Sequence, residues 1–122
     1  MQRQRLLLID DDPIIQAIYH DRFQAAGFDV FLAADGADGL VALHDYKPDV
    51  VLLDLNMPRV NGIEWLRAVR DSSHRHVPVV VLTSAENQKV EAAQDDAVYV
   101  MRKDAADPRL VVETVMTAVD TA

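Results

Sequence analysis

Four apolar runs of this chain end on side chains that can do chemistry. Leu6-Leu7-Leu8-Ile9 runs into Asp10-Asp11-Asp12, Val50-Val51-Leu52-Leu53 into Asp54, Val79-Val80-Val81-Leu82 into Thr83-Ser84, and the stretch 97–101 reaches Lys103. Carboxylates packed together raise one another's pKa unless a cation joins them. Hard oxygen ligands with no histidine or cysteine in the set favour Mg2+, with Mn2+ as the alternative, over zinc. Magnesium prefers octahedral oxygen geometry at about 2.0–2.1 Å and keeps several waters, so it takes one or two protein carboxylates beside phosphate oxygens. The chemistry implied is phosphoryl transfer. Lys103 would neutralise phosphoryl charge there, and Thr83 would donate a hydrogen bond to a phosphoryl oxygen.

Such a set works only if the fold brings the run ends together. Apolar runs at 6–9, 28–33, 50–53, 77–82 and 97–101 alternate with helix-like segments, the pattern of repeated βα units around a parallel sheet. The runs at 50–53 and 79–82 are continuously apolar, as central strands buried on both faces must be. Asp12 and Pro13 signal a helix start and Gly27 its stop, with Ile14, Ile15, Ile18, Tyr19 and Phe23 at helical spacing between them. Asp107-Pro108 repeats the start signal ahead of Leu110, Val111, Val115 and Val119. Further helices are expected at 37–46, 62–70 and within 86–94. Five strands alternating with five helices give an α/β, doubly wound parallel sheet, read as one domain over residues 1–122. Ligands of open parallel sheets bind outside the carboxyl ends of the strands, where the reactive residues above fall.

Leu8-Ile9-Asp10-Asp11-Asp12-Pro13, Leu52-Leu53-Asp54-Leu55-Asn56-Met57-Pro58 with Asn61-Gly62, Val81-Leu82-Thr83-Ser84-Ala85, and Met101-Arg102-Lys103-Asp104-Ala105 closely resemble the signatures of response-regulator receiver domains. The resemblance covers nearly the whole chain. It implies a flavodoxin-like fold with strand order 2-1-3-4-5 and Asp54 as phosphoacceptor. It further implies Asp10 and Asp11 as the acidic pair, Thr83 as the switch hydroxyl and Lys103 as the phosphate-binding lysine. Asp11, Asp54 and the backbone carbonyl of Asn56 would be ligands to Mg2+, with Asp10 acting through water. The implied phosphodonor is a phosphohistidine on a histidine kinase or histidine phosphotransfer protein, and the phosphorylated state would alter binding to a downstream protein. Such a domain catalyses its own phosphorylation and dephosphorylation and is not otherwise an enzyme.

Three departures from the family pattern stand out. Asp104 follows Lys103 where proline is common, so a trans peptide is expected there, since a cis bond before a non-proline residue costs about 2.5–4 kcal/mol. The position three before the lysine, often aromatic, is Val100, with Tyr99 beside it; alternation along a strand sends those two side chains to opposite faces. The segment from Thr83 to Lys103 is also short and lacks a common glycine, so the helix within 86–94 is expected to be short or frayed.

The remaining residues bound the reading. The chain has 122 residues and a formal net charge of -8, and half its residues are apolar, a globular composition that disfavours nucleic-acid contact. No apolar run approaches the roughly 20 residues of a membrane span, and the N-terminus lacks a signal-peptide pattern, so a cytoplasmic location is expected. There is no cysteine, which excludes disulfides and a thiolate nucleophile. Asp12 needs no role beyond capping. His20, His44, His74 and His76 read as surface or partner-facing, the His74/His76 pair lacks a ligand framework, and Lys47, Arg67, Arg70 and Arg75 read as solvated charges. A haloacid-dehalogenase-like phosphohydrolase would need an aspartate where Asn56 stands. The other alternative, a receiver-like interaction scaffold that is never phosphorylated, leaves the full set Asp10, Asp11, Asp54, Thr83 and Lys103 without a purpose.

Overall fold

Val50–Asp54 (β3) and Val79–Thr83 (β4) are buried at every position, because each has a strand on both edges and helices over both faces. This is the centre of the fold in the computed structural model, which describes residues 3–55, 62–83, 98–102 and 107–120. Arg5–Ile9 (β1), Asp29–Ala33 (β2) and Val98–Arg102 (β5) complete a parallel sheet in the order β2-β1-β3-β4-β5. The expected flavodoxin-like strand order is the one found.

Strand alternation divides the core in two. Leu7, Ile9, Val51, Leu53, Val79 and Val81 face one side, where Gly36–Tyr46 (α2) and Gly62–Arg70 (α3) contribute Ala42, Leu43, Trp65, Leu66 and Val69. Leu6, Leu8, Val50, Leu52, Val80 and Leu82 face the other, against Tyr19 and Phe23 of Pro13–Ala25 (α1) and Val111, Val115 and Ala118 of Pro108–Asp120 (α4). Large side chains such as Trp65, Phe23 and Leu52 are wholly removed from water, each contributing about 1.5–3 kcal/mol of burial energy.

The helix boundaries follow local chemistry. Asp12 Oδ1 accepts from the Ile14 amide at 2.9 Å, Pro13 opens α1, and Gly27 turns the chain away at φ +100°. Asp107 Oδ1 accepts from the Leu110 amide at 2.8 Å and starts α4 in the same way. The start of α2 was less apparent from sequence: Asp35 caps it, accepting from the Asp38 amide at 2.8 Å. Strand ends shift by a residue or two: Val77 lies in the turn before β4, its amide donating to the His74 carbonyl, and β5 extends to Arg102.

Two expectations need amendment. Ile14 and Ile18 keep helical spacing yet are 69% and 40% exposed, so the buried stripe of α1 narrows to Tyr19 and Phe23 with Ile15 partly covered. Arg70 is not simply a solvated charge: its guanidinium donates to the carbonyls of Arg75 and, at 3.4 Å, Val77, tying down the turn after α3. Residues 86–94, with their expected helix, and the Lys103–Asp104 peptide lie outside the described residues.

Candidate functional site at the carboxyl edge of the sheet

β1 and β3 are adjacent and in register from Leu6↔Val50 to Ile9↔Leu53, so Asp10 and Asp54 emerge side by side. Asp54 pairs across to Leu82, and Thr83 ends the next strand. The sheet topology thus gathers three of the sequence-predicted residues. Asp10, Asp54 and Thr83 are the buried polar or charged residues among those described, at 2%, 3% and 5% exposure.

Asp11 joins them from the β1–α1 turn. Each of Asp10, Asp11 and Asp54 offers a carboxylate oxygen within 4.8 Å of the others, with Asp10 and Asp54 buried and Asp11 exposed. Three carboxylates this close repel one another. The oxygen-only donor set fits a hard divalent cation, which would relieve that repulsion, with Asp11 on the solvent side where the ion would keep its waters.

The backbone around Asp10 is tightly held. Its amide donates to the Ala33 carbonyl at 3.0 Å, its Oδ1 accepts from the Asp12 amide at 2.9 Å, and its carbonyl accepts from Gln16 Nε2 at 2.6 Å. Gln16 was not singled out in the sequence; its place one turn into a helix that starts beside the acidic run was the available signal. On β3 the chain is fixed just past Asp54, where the Leu55 amide donates to the Leu82 carbonyl at 3.0 Å. Asn56 and Lys103 lie outside the described residues.

A cavity of about 340 Å³ adjoins the carboxylates, lined by Asp10, Asp12, Ile15, Ile18, Tyr19, Leu82 and Pro108. Tyr19, also missed as a site residue, gives this cavity a phenol. Burial pushes its pKa above the usual tyrosine range; Arg22 opposes that, and the negative charges of Asp10 and Asp107 add to it. It is a neutral hydroxyl at physiological pH.

Residues 6–115 match the family described as response regulator receiver domain. The chain belongs to that family. The DNA-binding response regulator MtrA of Mycolicibacterium smegmatis is similar to this receiver, 38% identical over 105 residues that make up 82% of this chain and 44% of that protein. The Regulator of RpoS of Escherichia coli strain K12 is 32% identical over 84 residues, 69% of this chain and 25% of that one. The receiver therefore spans less than half the length of these curated relatives. Among solved structures, the chemotaxis response regulator CheY4 of Vibrio cholerae superposes with a TM-score of 0.85 at 28% identity, over 96% of this chain and 99% of that one. A receiver domain of a signal transduction histidine kinase from Syntrophus aciditrophicus shares the fold, with a TM-score of 0.88 at 17% identity over 98% and 92% of the two chains. The receiver is thus a module of two-component signalling. No helix among its described residues is long and apolar enough to cross a membrane.

Proposed function

We propose that this receiver accepts a phosphoryl group on Asp54 from a phosphohistidine of a histidine kinase or histidine phosphotransfer protein. The observation that carries the reading is the convergence of Asp10, Asp11 and Asp54 within 4.8 Å at the carboxyl edge of a parallel sheet. A carboxylate oxygen of Asp54 attacks phosphorus, the phosphorus–nitrogen bond breaks, and the imidazole of the donor leaves with the bonding electrons. The product is an acyl phosphate on Asp54. Deep burial keeps Asp54 poorly hydrated and therefore a better nucleophile than an exposed carboxylate.

Asp11, Asp54 and the carbonyl of Asn56 would hold Mg2+, or Mn2+ in its place, with Asp10 reaching it through water. The ion supplies charge neutralisation between the carboxylates and the incoming phosphoryl oxygens. Thr83, at the end of the adjacent strand, donates its hydroxyl to a phosphoryl oxygen, and Lys103 adds an ammonium. The exposed Ile14 and Ile18, next to the carboxylates on α1, give a protein donor an apolar foothold. Phosphorylation then changes the affinity for a downstream protein partner, in the cytoplasm. The DNA binding in the name of MtrA belongs to a protein more than twice the matched length; the net charge of -8 on these 122 residues disfavours direct contact with nucleic acid.

The test is incubation with acetyl phosphate and Mg2+, followed by intact-mass measurement. Wild type should gain one phosphoryl group that is lost in alkali, whereas Asp54→Asn, nearly isosteric, should gain none while keeping its circular dichroism spectrum. Equal labelling of the two would remove Asp54 from the mechanism. A wild type that never labels would favour the non-phosphorylated scaffold.

A further inference from the structure

None of the chain's four histidines, His20, His44, His74 and His76, plays a part in the site above. Their sequence spacing brings His74 and His76 to mind as a pair, but the fold pairs His74 with His44. The two rings lie with centroids 6.4 Å apart and planes at 87°. His44 is in the last turn of α2 and His74 in the turn between α3 and β4. In a parallel sheet both places lie at the amino edge of the strands, on the opposite side of the molecule from the carboxylates.

We propose that His44 and His74 form a second metal site, for a borderline divalent transition-metal ion of the Zn2+, Ni2+ or Cu2+ class, its remaining positions filled by water. Imidazole is the ligand these ions share, and it does not suit Mg2+. With metal–nitrogen bonds of about 2.0–2.1 Å, two imidazoles at a tetrahedral angle on one ion have their centroids roughly 5.2 Å apart. The observed 6.4 Å is about 1 Å wider, so rotation of the exposed His44 side chain towards His74 is required to close the site.

The backbones carrying the two ligands are already held. On the α3 side, Ser72 Oγ donates to the Val69 carbonyl at 2.7 Å and accepts from the His74 amide at 3.0 Å. The His74 carbonyl takes the Val77 amide at 3.1 Å, and Arg70 binds the carbonyls of Arg75 and Val77. On the α2 side the Lys47 amide donates to the Leu43 carbonyl at 3.2 Å, closing the last turn around His44. A ligand pair on fixed backbones loses little conformational entropy on binding. His44 is exposed and His74 half-buried, so an ion can reach both. The bound ion would clasp α2 to the α3–β4 turn.

The test is calorimetric titration of the whole chain with Zn2+ and, separately, Ni2+, in a buffer containing millimolar Mg2+ to occupy the acidic site. One ion should bind per chain, and the melting temperature should rise with ion concentration as linkage requires. His44→Gln and His74→Gln should each weaken binding about tenfold or more, whereas Asp11→Asn should leave it unchanged. The ring resonances of His44 and His74 should shift together in NMR spectra. Absence of saturable binding would overturn the proposal, as would binding that survives both glutamine variants or disappears with Asp11→Asn. Since the readout is metal affinity at the far edge, it succeeds or fails independently of phosphorylation at Asp54.

Discussion

Tyr99 and Val100 are neighbours in β5 that pack into different halves of the core: Tyr99 against the cluster formed with α1 and α4, Val100 against the cluster formed with α2 and α3. The register gives the reason. Val100 pairs with Val81, which shares its sheet face with Thr83, whereas Tyr99 pairs with Val80 on the reverse face. No bulge restores the aromatic to the Thr83 side. Structures with and without beryllofluoride, a phosphoryl mimic, should therefore show Tyr99 keeping its place on the α1/α4 side. Any change in output surface must then come from elements other than an inward-swinging ring. A Tyr99 ring found beside Thr83 in the beryllofluoride form would refute this.

Asp11 is the exposed member of the acidic trio, so its charge is tolerated by solvent while still facing two buried carboxylates. Asp11→Asn should raise the melting temperature in EDTA by relieving like-charge repulsion, and lower affinity for Mg2+. Wild type gains stability as Mg2+ is added, as RT ln(1 + c/Kd) at free Mg2+ concentration c, and the variant gains little. The two melting curves should thus exchange order between EDTA and saturating Mg2+. Parallel responses to Mg2+ would show that Asp11 is not a ligand.

What the sequence made legible was whatever short-range chemistry decides. The caps at Asp12 and Asp107, the turn at Gly27 and the continuous apolar runs of β3 and β4 depend on neighbours in the chain, and each is found. Strand-end logic and family resemblance together placed Asp10, Asp11, Asp54 and Thr83 at one edge. What escaped is tertiary. Helical spacing identified α1 but could not say how much of its apolar stripe a neighbour covers, which is why Ile14 and Ile18 prove exposed. Arg70 looked like a surface charge because its partners are carbonyls of its own turn, and backbone acceptors carry no sequence signature. Gln16 and Tyr19 meet Asp10 only once α1 folds back over the sheet.

Lys47 ends α2 in the left-handed conformation, at φ 47° and ψ 64°, the described non-glycine residue with positive φ. An L residue there costs roughly 1 kcal/mol, which glycine avoids at the price of a more flexible unfolded chain. Lys47→Gly should therefore stabilise the protein by up to about 1 kcal/mol. Lys47→Ala, which keeps the strained backbone, should not. Urea denaturation with unchanged m-values would measure both, and equal midpoints for the Gly and Ala variants would show that the cap is not strained.

Gly39 sets α2 against Ile9, the last residue of the strand that leads into Asp10. A Cβ added there would lie 2.6 Å from Ile9 Cδ1 and 3.0 Å from Trp65 Nε1. Alanine is a better helix former than glycine by about 1 kcal/mol, so propensity alone predicts a gain for Gly39→Ala. Overpacking opposes it, typically costing about 1–3 kcal/mol in a close-packed core. The second effect should win, because Ile9 and Trp65 are wholly buried and have little room to yield. The contact is specific enough to test by a double-mutant cycle. Ile9→Val removes the offending Cδ1 at a cost of about 0.5–1.5 kcal/mol by itself. Combined with Gly39→Ala it should cost less than the sum of the two single changes, a favourable coupling. Ile9 immediately precedes Asp10, so Gly39→Ala should also slow labelling of Asp54 by acetyl phosphate, and Ile9→Val should recover part of that rate. Strict additivity in stability, or a Gly39→Ala variant as stable as wild type, would show that α2 can move away from β1 without strain.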